Sequence, residues 1–319
     1  MSTSQLQTPP ISGQDDGTLP VDLQVNGYAG IDFNADSLTL EEVHAVCRQL
    51  ESDGVGAILA TVITDQLPQM SARLAKLAGW IDSDPLVAAM IAGLHIEGPF
   101  ISPVEGYVGA HPADAVRRAE MGAVEQLLEA AGGHARLVTL APEMDDDARV
   151  TAELRSRGIT VAAGHSNASL DQLRRAIDAG LQLFTHLGNG CPGLLHRHDN
   201  IIQRVLSLSE QLYVSFIADG HHIPAPALSN YLRRVPDEHI IIVSDAMLAA
   251  GLGPGRFQFA NQTVEVDEAG AAWSADRTHF AGSAATLKRM REVLQTQLGI
   301  GSEAFDRWTI TNPRRLLGS

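Results

Sequence analysis

Two cysteines in 319 residues, Cys47 and Cys191, are too few for a disulfide framework or a structural zinc ribbon, and they point to a reducing compartment. No apolar run approaches the roughly 18 residues of a membrane-spanning helix. Positive charge is also scarce. Against 38 Asp and Glu there are 23 Lys and Arg, and the net charge of −15 argues against broad contact with nucleic acid or an anionic membrane surface. An anionic small molecule would need a local basic patch. Residues 1–19 are polar, with Pro and Gly, and lack the basic start and apolar stretch of a signal peptide. They read as a flexible N-terminal tail, and the expected location is the cytoplasm.

Hydrophobic residues make up 45% of the chain, enough for a sizeable core. They fall into short runs followed by amphipathic stretches: Val21–Asn26, Ala57–Thr61, Ile91–Glu97, Leu137–Ala141, Ile159–His165, Leu181–His186, Tyr213–Asp219 and Ile240–Asp245. Thr39 with Glu42, and Ser169 with Gln172, have the spacing of capping boxes that open two of the intervening helices. Apolar strands alternating with helices predict an α/β fold with a parallel sheet, and eight such units fit a (β/α)8 TIM-type barrel. The expected organisation is one barrel domain over residues 20–319, with a hairpin insertion at about 251–280. Periodicity alone does not prove that the sheet closes.

Four of these runs end in residues able to bind metal or move protons: Glu97 in G-L-H-I-E-G-P-F, His165 in A-G-H-S-N, His186 in F-T-H-L-G and Asp245 in V-S-D-A-M. Any one of them could simply cap a helix or tie down a loop. Four at the strand ends of a barrel, where active sites form, make a stronger signal. One carboxylate and two imidazoles suit a catalytic zinc with an open position, although iron accepts the same donors. Such an ion acidifies water and polarises a carbonyl. Asp245 is then the proton carrier that amide hydrolysis needs for its leaving amine.

The ordered motifs V-D-L-Q-V-N-G-Y-A-G, H-I-E-G-P-F, A-G-H-S-N-A-S, T-H-L-G-N-G, A-D-G-H-H, V-S-D-A-M, A-G-S-A-A-T-L and T-N-P-R-R-L-L-G, across residues 20–318, resemble N-acetylglucosamine-6-phosphate deacetylases of the amidohydrolase superfamily. The resemblance implies a metal-dependent hydrolase that removes acetate from an N-acetylated amino sugar. It implies one principal divalent metal on Glu97, His165 and His186, because Gln24 and Asn26 stand where many relatives carry H-x-H. It further implies Asp245 as the acid/base, His111 as a group polarising the acetyl carbonyl, and Asn189, Gly190, Arg197 and His222 as substrate contacts. Arg197 reaches phosphate across a dimer interface in some members, so a homodimer is expected.

Two departures stand out. The family's flanking segments build a small β-sandwich that this chain is expected to lack, and the usual T-H-L-F-N-A-M is T-H-L-G-N-G-C. The altered loop leaves other substrates open: the galactosamine epimer, an acylated amino acid, a cyclic amide, or sugar-phosphate binding without turnover.

Weaker signals have plainer readings. Gly251, Gly253 and Gly255 lack the helix start of a phosphate loop, and Asn167-Ala-Ser169 matches a glycosylation pattern without meaning in the cytoplasm. His95 reads as a packed histidine, Asp145–Asp147 as a helix cap, and Asp219 as a group orienting His222. His221 and His279 receive no role.

Overall fold

The computed structural model describes residues 17–259, 262–277, 280 and 282–318, so most of the expected tail and His279 lie outside the described residues. Eight parallel strands form one sheet whose spatial order equals the chain order. They are β1 (Val21–Val25), β2 (Ala57–Ile63), β3 (Ile91–Glu97), β4 (Ala135–Leu140), β5 (Thr160–Ala163), β6 (Leu183–Phe184), β7 (Tyr213–Phe216) and β8 (Ile240–Ile242). Every residue of β1, β5 and β8 is buried, as expected of strands covered on both faces.

Closure between β8 and β1 relies on few ladder contacts. Val25 and Ala246 form a single bridge, and Asn26 N–H donates to the Ala246 carbonyl at 2.8 Å. Lower in the seam the buried Asp22 carboxylate accepts from Ser244 N–H at 3.1 and 3.2 Å, replacing a missing ladder bond.

The surrounding helices include α1 (Leu40–Ser52), α2 (Leu67–Ser83), α3 (Met121–Ala130), α4 (Arg149–Ser156), α5 (Leu170–Asp178), α6 (Ile201–Ser207), α7 (Ala225–Arg234) and α8 (Leu287–Leu298). Both capping boxes form: Thr39 with Glu42 opens α1, and Ser169 with Gln172 opens α5. None of the described helices is long and apolar enough to cross a membrane.

The T-N-P-R-R-L-L-G motif is a clasp at the far end of the barrel from the site. Asn312 Nδ2 donates to the carbonyls of Asp237 (2.9 Å) and Ile240 (2.7 Å), and Trp308 Nε1 donates to Asp237 Oδ1 at 2.6 Å. These bonds fix the start of β8.

After β8 the chain builds a separate antiparallel sheet, β9 (Gly255–Phe259), β10 (Gln262–Val266) and β11 (Ala272–Ser274). Val264, Val266 and Ala272 pack on Met247, Leu248 and Ala249, a second apolar cluster that anchors this sheet to the loop beyond β8.

Candidate active site

Glu97 is the last residue of β3, but His165, His186 and Asp245 sit two or three residues beyond the ends of β5, β6 and β8. The strands are thus shorter than their apolar runs suggest. At each of these three residues the backbone turns left-handed, with φ of 49°, 35° and 49°. That conformation costs a side-chain-bearing residue about 1–2 kcal/mol and tends to persist at functional positions. It ends the ladder and turns the three side chains toward Glu97.

All four are buried, as is His111. Glu97 Oε1 lies 3.0 Å from His186 Nε2 and 3.4 Å from His165 Nε2, and one donor atom from each residue falls within a 4.8 Å cluster that could hold a metal ion. His165 Nδ1 donates to the Tyr107 carbonyl at 2.9 Å, and a carbonyl can only accept. A neutral His165 therefore presents a bare Nε2 to the carboxylate. Lone pairs facing a carboxylate call for a cation between them.

The electrostatics agree. Burial opposes ionisation of Glu97, yet the His165 and His186 imidazoles beside it, when either carries a proton toward the carboxylate, hold it well below the usual carboxylate range. Burial also opposes charge on His186, and the Glu97 hydrogen bond overcomes it and raises the imidazole. The pair seeks one positive charge, from protons or from a metal. One carboxylate and two imidazoles fit a divalent ion.

Asp245 differs. Burial, and next the Glu97 charge, push its carboxyl up to about 6. Asn26 Nδ2 donates to its Oδ1 at 2.8 Å, which fixes the group. His111 Nε2 lies 3.2 Å from His165 Nε2, and burial first, then His165, lowers it to about 3, so it stays neutral.

Asn26, Glu97, His111, His165, Asn189, Gly190 and Asp245 line one cavity of about 80 Å³. A larger cleft of about 850 Å³ shares Ile63, Gly109 and Ala110 with it, but includes none of the three metal-cluster residues. Its lining carries Asp32, Asp36, Glu42, Asp65 and Asp114, and its Arg73 is already paired with Asp36 and Asp65, a poor surface for a phosphate.

Outside the cavity, His222 Nδ1 bonds Asp219 Oδ2 at 2.6 Å while its buried Nε2 has no partner. Burial opposes charge on Asp219, but His222 and the N–H groups of His221 and His222 keep its carboxyl low. Arg197 is exposed on the loop after Gly190 and does not line this cavity. His95 is packed between Thr61 Oγ1 (3.3 Å) and Thr139 Oγ1 (2.8 Å).

No family model matches the chain. It is 33% identical over 305 residues to the N-acetylglucosamine-6-phosphate deacetylase of Danio rerio, covering 93% of this chain and 74% of that one. The chain belongs to the N-acetylglucosamine-6-phosphate deacetylase family. The human member is also 33% identical, over 93% of this chain and 73% of its own length. An N-acetylgalactosamine-6-phosphate deacetylase of Escherichia coli O157:H7 is 32% identical over 77% of this chain and 63% of its own. The solved deacetylase of Mycobacterium smegmatis superposes with a TM-score of 0.84 at 28% identity, covering 94% of this chain and 78% of that chain. A mutant of it is in complex with N-acetyl-D-glucosamine-6-phosphate, with a TM-score of 0.84, 28% identity and coverage of 94% and 77%.

Within this family frame, some positions carry more than sequence reasoning assigned. Gln24 Nε2 donates to Glu97 Oε1 at 2.8 Å while its Oε1 accepts from Thr185 at 2.8 Å, so Gln24 orients the carboxylate. The signal was present: Gln24 and Asn26, two residues apart, share one strand face. The Tyr107 carbonyl and Phe280, which also lines the cavity, had no such signal, because loop residues carry no periodicity.

Proposed function

We propose that the chain deacetylates N-acetylglucosamine 6-phosphate, giving glucosamine 6-phosphate and acetate, as a cytoplasmic enzyme of amino-sugar metabolism. The observation that carries this reading is the convergence of Glu97, His165 and His186 on one point beside a fixed, buried Asp245, in a member of this family.

A zinc ion held by Glu97, His165 and His186 would supply Lewis acidity for the carbonyl and acidify the attacking water. The remaining steps belong to the chain's own groups. Asp245, held at Oδ1 by Asn26, takes a proton at its carboxylate from the attacking water and delivers it to the amide nitrogen, which then leaves as an amine. A carboxyl raised to about 6 suits both transfers better than an ordinary aspartate, since proton acceptance and return must both be feasible near neutral pH. His111, neutral and beside His165, donates a hydrogen bond to the acetyl oxygen and stabilises the charge that develops there. Asn189 and Gly190 line the cavity next to His165, where they contact the sugar phosphate, and His222 offers its unpartnered Nε2 to the sugar.

Arg197 is too exposed to serve its own cavity, so in this reading it reaches the phosphate of a second copy in a homodimer. His196 and His198 add the local positive charge that the acidic chain otherwise lacks.

The test is acetate release from N-acetylglucosamine 6-phosphate, measured beside its galactosamine epimer and both unphosphorylated sugars. Preference for the phosphorylated gluco compound supports the assignment. Turnover of the galacto epimer alone reassigns the sugar, and inertness toward all four removes the deacetylase reading.

A further inference from the structure

The two imidazoles of the metal cluster are held in different ways. His165 is tied through its ring, by the bond from Nδ1 to the Tyr107 carbonyl. The His186 ring has no such tie, because its Nε2 meets only Glu97 and its buried Nδ1 has no protein partner among the described residues. Its aim therefore depends on its backbone, which turns left-handed with φ of 35°. Ser215, wholly buried on β7, grips that turn twice: its Oγ accepts from His186 N–H at 2.8 Å, and its carbonyl accepts from Leu187 N–H at 2.9 Å. The Ser215 hydroxyl also lies 3.3 Å from Thr185 Oγ1. Thr185 in turn donates to Gln24 Oε1 at 2.8 Å, and Gln24 is the amide that holds Glu97. Gln24 and Thr185 are buried as fully as Ser215.

The two ends of this path assign every proton along it. His186 N–H can only donate, and an ionised Glu97 carboxylate can only accept. Gln24 must then turn its Nε2 to Glu97 and its Oε1 to Thr185, so Thr185 donates to Gln24 and Ser215 donates to Thr185. One direction satisfies every link. Buried bonds aligned in this way polarise and strengthen one another. Thr185 is also locked sterically, because a Cβ on Gly164 would fall 2.6 Å from Thr185 Cγ2, so the methyl fills the space beside the residue before His165. The path closes on itself where His186 Nε2 meets the same Glu97 Oε1 that Gln24 holds. We propose that Ser215 is a positioning residue for the metal cluster: its hydroxyl fixes the His186 turn and, through Thr185 and Gln24, the Glu97 carboxylate, so that two ligands from different strands are set as one unit. Ser215 is not among the residues that line the cavity and acts from behind the ligands. The inference rests on the reading of Glu97, His165 and His186 as the metal cluster, and it gives a role to β7, a strand that supplies no ligand.

The experiment measures zinc affinity, by competition with a chromophoric chelator, in metal-free wild-type protein and in four variants. These are Ser215→Ala, Thr185→Val, Thr185→Ser and the double variant Ser215→Ala/Thr185→Val. Ser215→Ala and Thr185→Val each remove one link and are expected to weaken zinc binding about ten- to a hundredfold, the range for groups that orient metal ligands. Thr185→Ser keeps the hydroxyl and should stay within about threefold of wild type by the same measure. Because one break interrupts the whole path, the double variant should bind zinc about as weakly as the weaker single variant. Asp145→Ala, which lies outside the path, shows what a loss of stability alone does, and its zinc affinity should match wild type. Should Ser215→Ala fail to fold, Thr185→Val breaks the same path one link further on. Wild-type affinity in folded Ser215→Ala or Thr185→Val, or losses that multiply in the double variant, overturns the proposal. A wild-type protein that takes up no zinc overturns the metal reading itself, so the wild-type titration tells the two failures apart.

Discussion

Asp145 and Asp245 are both buried aspartates in loops that follow barrel strands, and their surroundings could hardly differ more. Asp145 accepts from Val150 N–H (3.0 Å), Thr151 N–H (2.8 Å) and Thr151 Oγ1 (2.8 Å), so its carboxylate is spent on starting α4. Asp245 receives one side-chain donor, Asn26, and faces the negative Glu97. The first is satisfied and structural. The second has bonding capacity left over, which is what a proton carrier requires. Around the site, Asn26, His111, His186 and His222 each likewise keep a buried polar atom without a partner.

The largest expected effect comes from the metal cluster. Glu97→Gln, or chelation of wild-type protein, should lower acetate release by more than about a thousandfold, with added zinc restoring only the chelated wild type. Retained activity in a demonstrably metal-free protein would break the contrast at its root. Next is Gly190→Ala. The backbone there has φ of +61°, and an added Cβ would fall 2.9 Å from His165 Nδ1, so the variant should displace His165 and lower kcat/KM about tenfold or more. Normal kinetics would show that the loop has room to yield.

Asp145→Ala tests the other aspartate. It leaves the donors at the start of α4 unpaired and should cost about 1–3 kcal/mol of stability in denaturant titration, with kcat/KM nearly unchanged where the protein is folded. A large kinetic defect at full stability would blur the distinction. The smallest effect is on the pH profile. A proton acceptor works ionised, so kcat/KM should rise with pH through a limb at or below about 6, because a bound cation favours the carboxylate over the value set by burial and Glu97. The Asn26 hydrogen bond lowers that carboxyl, so Asn26→Ala should move the limb to higher pH. A limb unmoved in Asn26→Ala would detach it from Asp245.

Much of this was legible in the sequence because barrel strands are short apolar runs, and strand ends in such a fold converge. Glu97, His165, His186 and Asp245 could therefore be placed together from position alone. Closure was not legible, since it rests on Asp22 and one bridge between segments more than two hundred residues apart. Strand ends were overdrawn at His165, His186 and Asp245, because apolar content does not register a left-handed turn. Phe280 was hidden for a related reason: its ring partners Trp273 and His222 are far from each other in sequence and meet only in the folded chain.

The most direct test of the contrast between the two aspartates is acetate release by Asp245→Asn from N-acetylglucosamine 6-phosphate, with bound metal quantified in the same sample. The account predicts full metal content with turnover reduced by about a hundred- to ten-thousandfold. Near-normal turnover at full metal content would contradict it and move the proton transfer to another group.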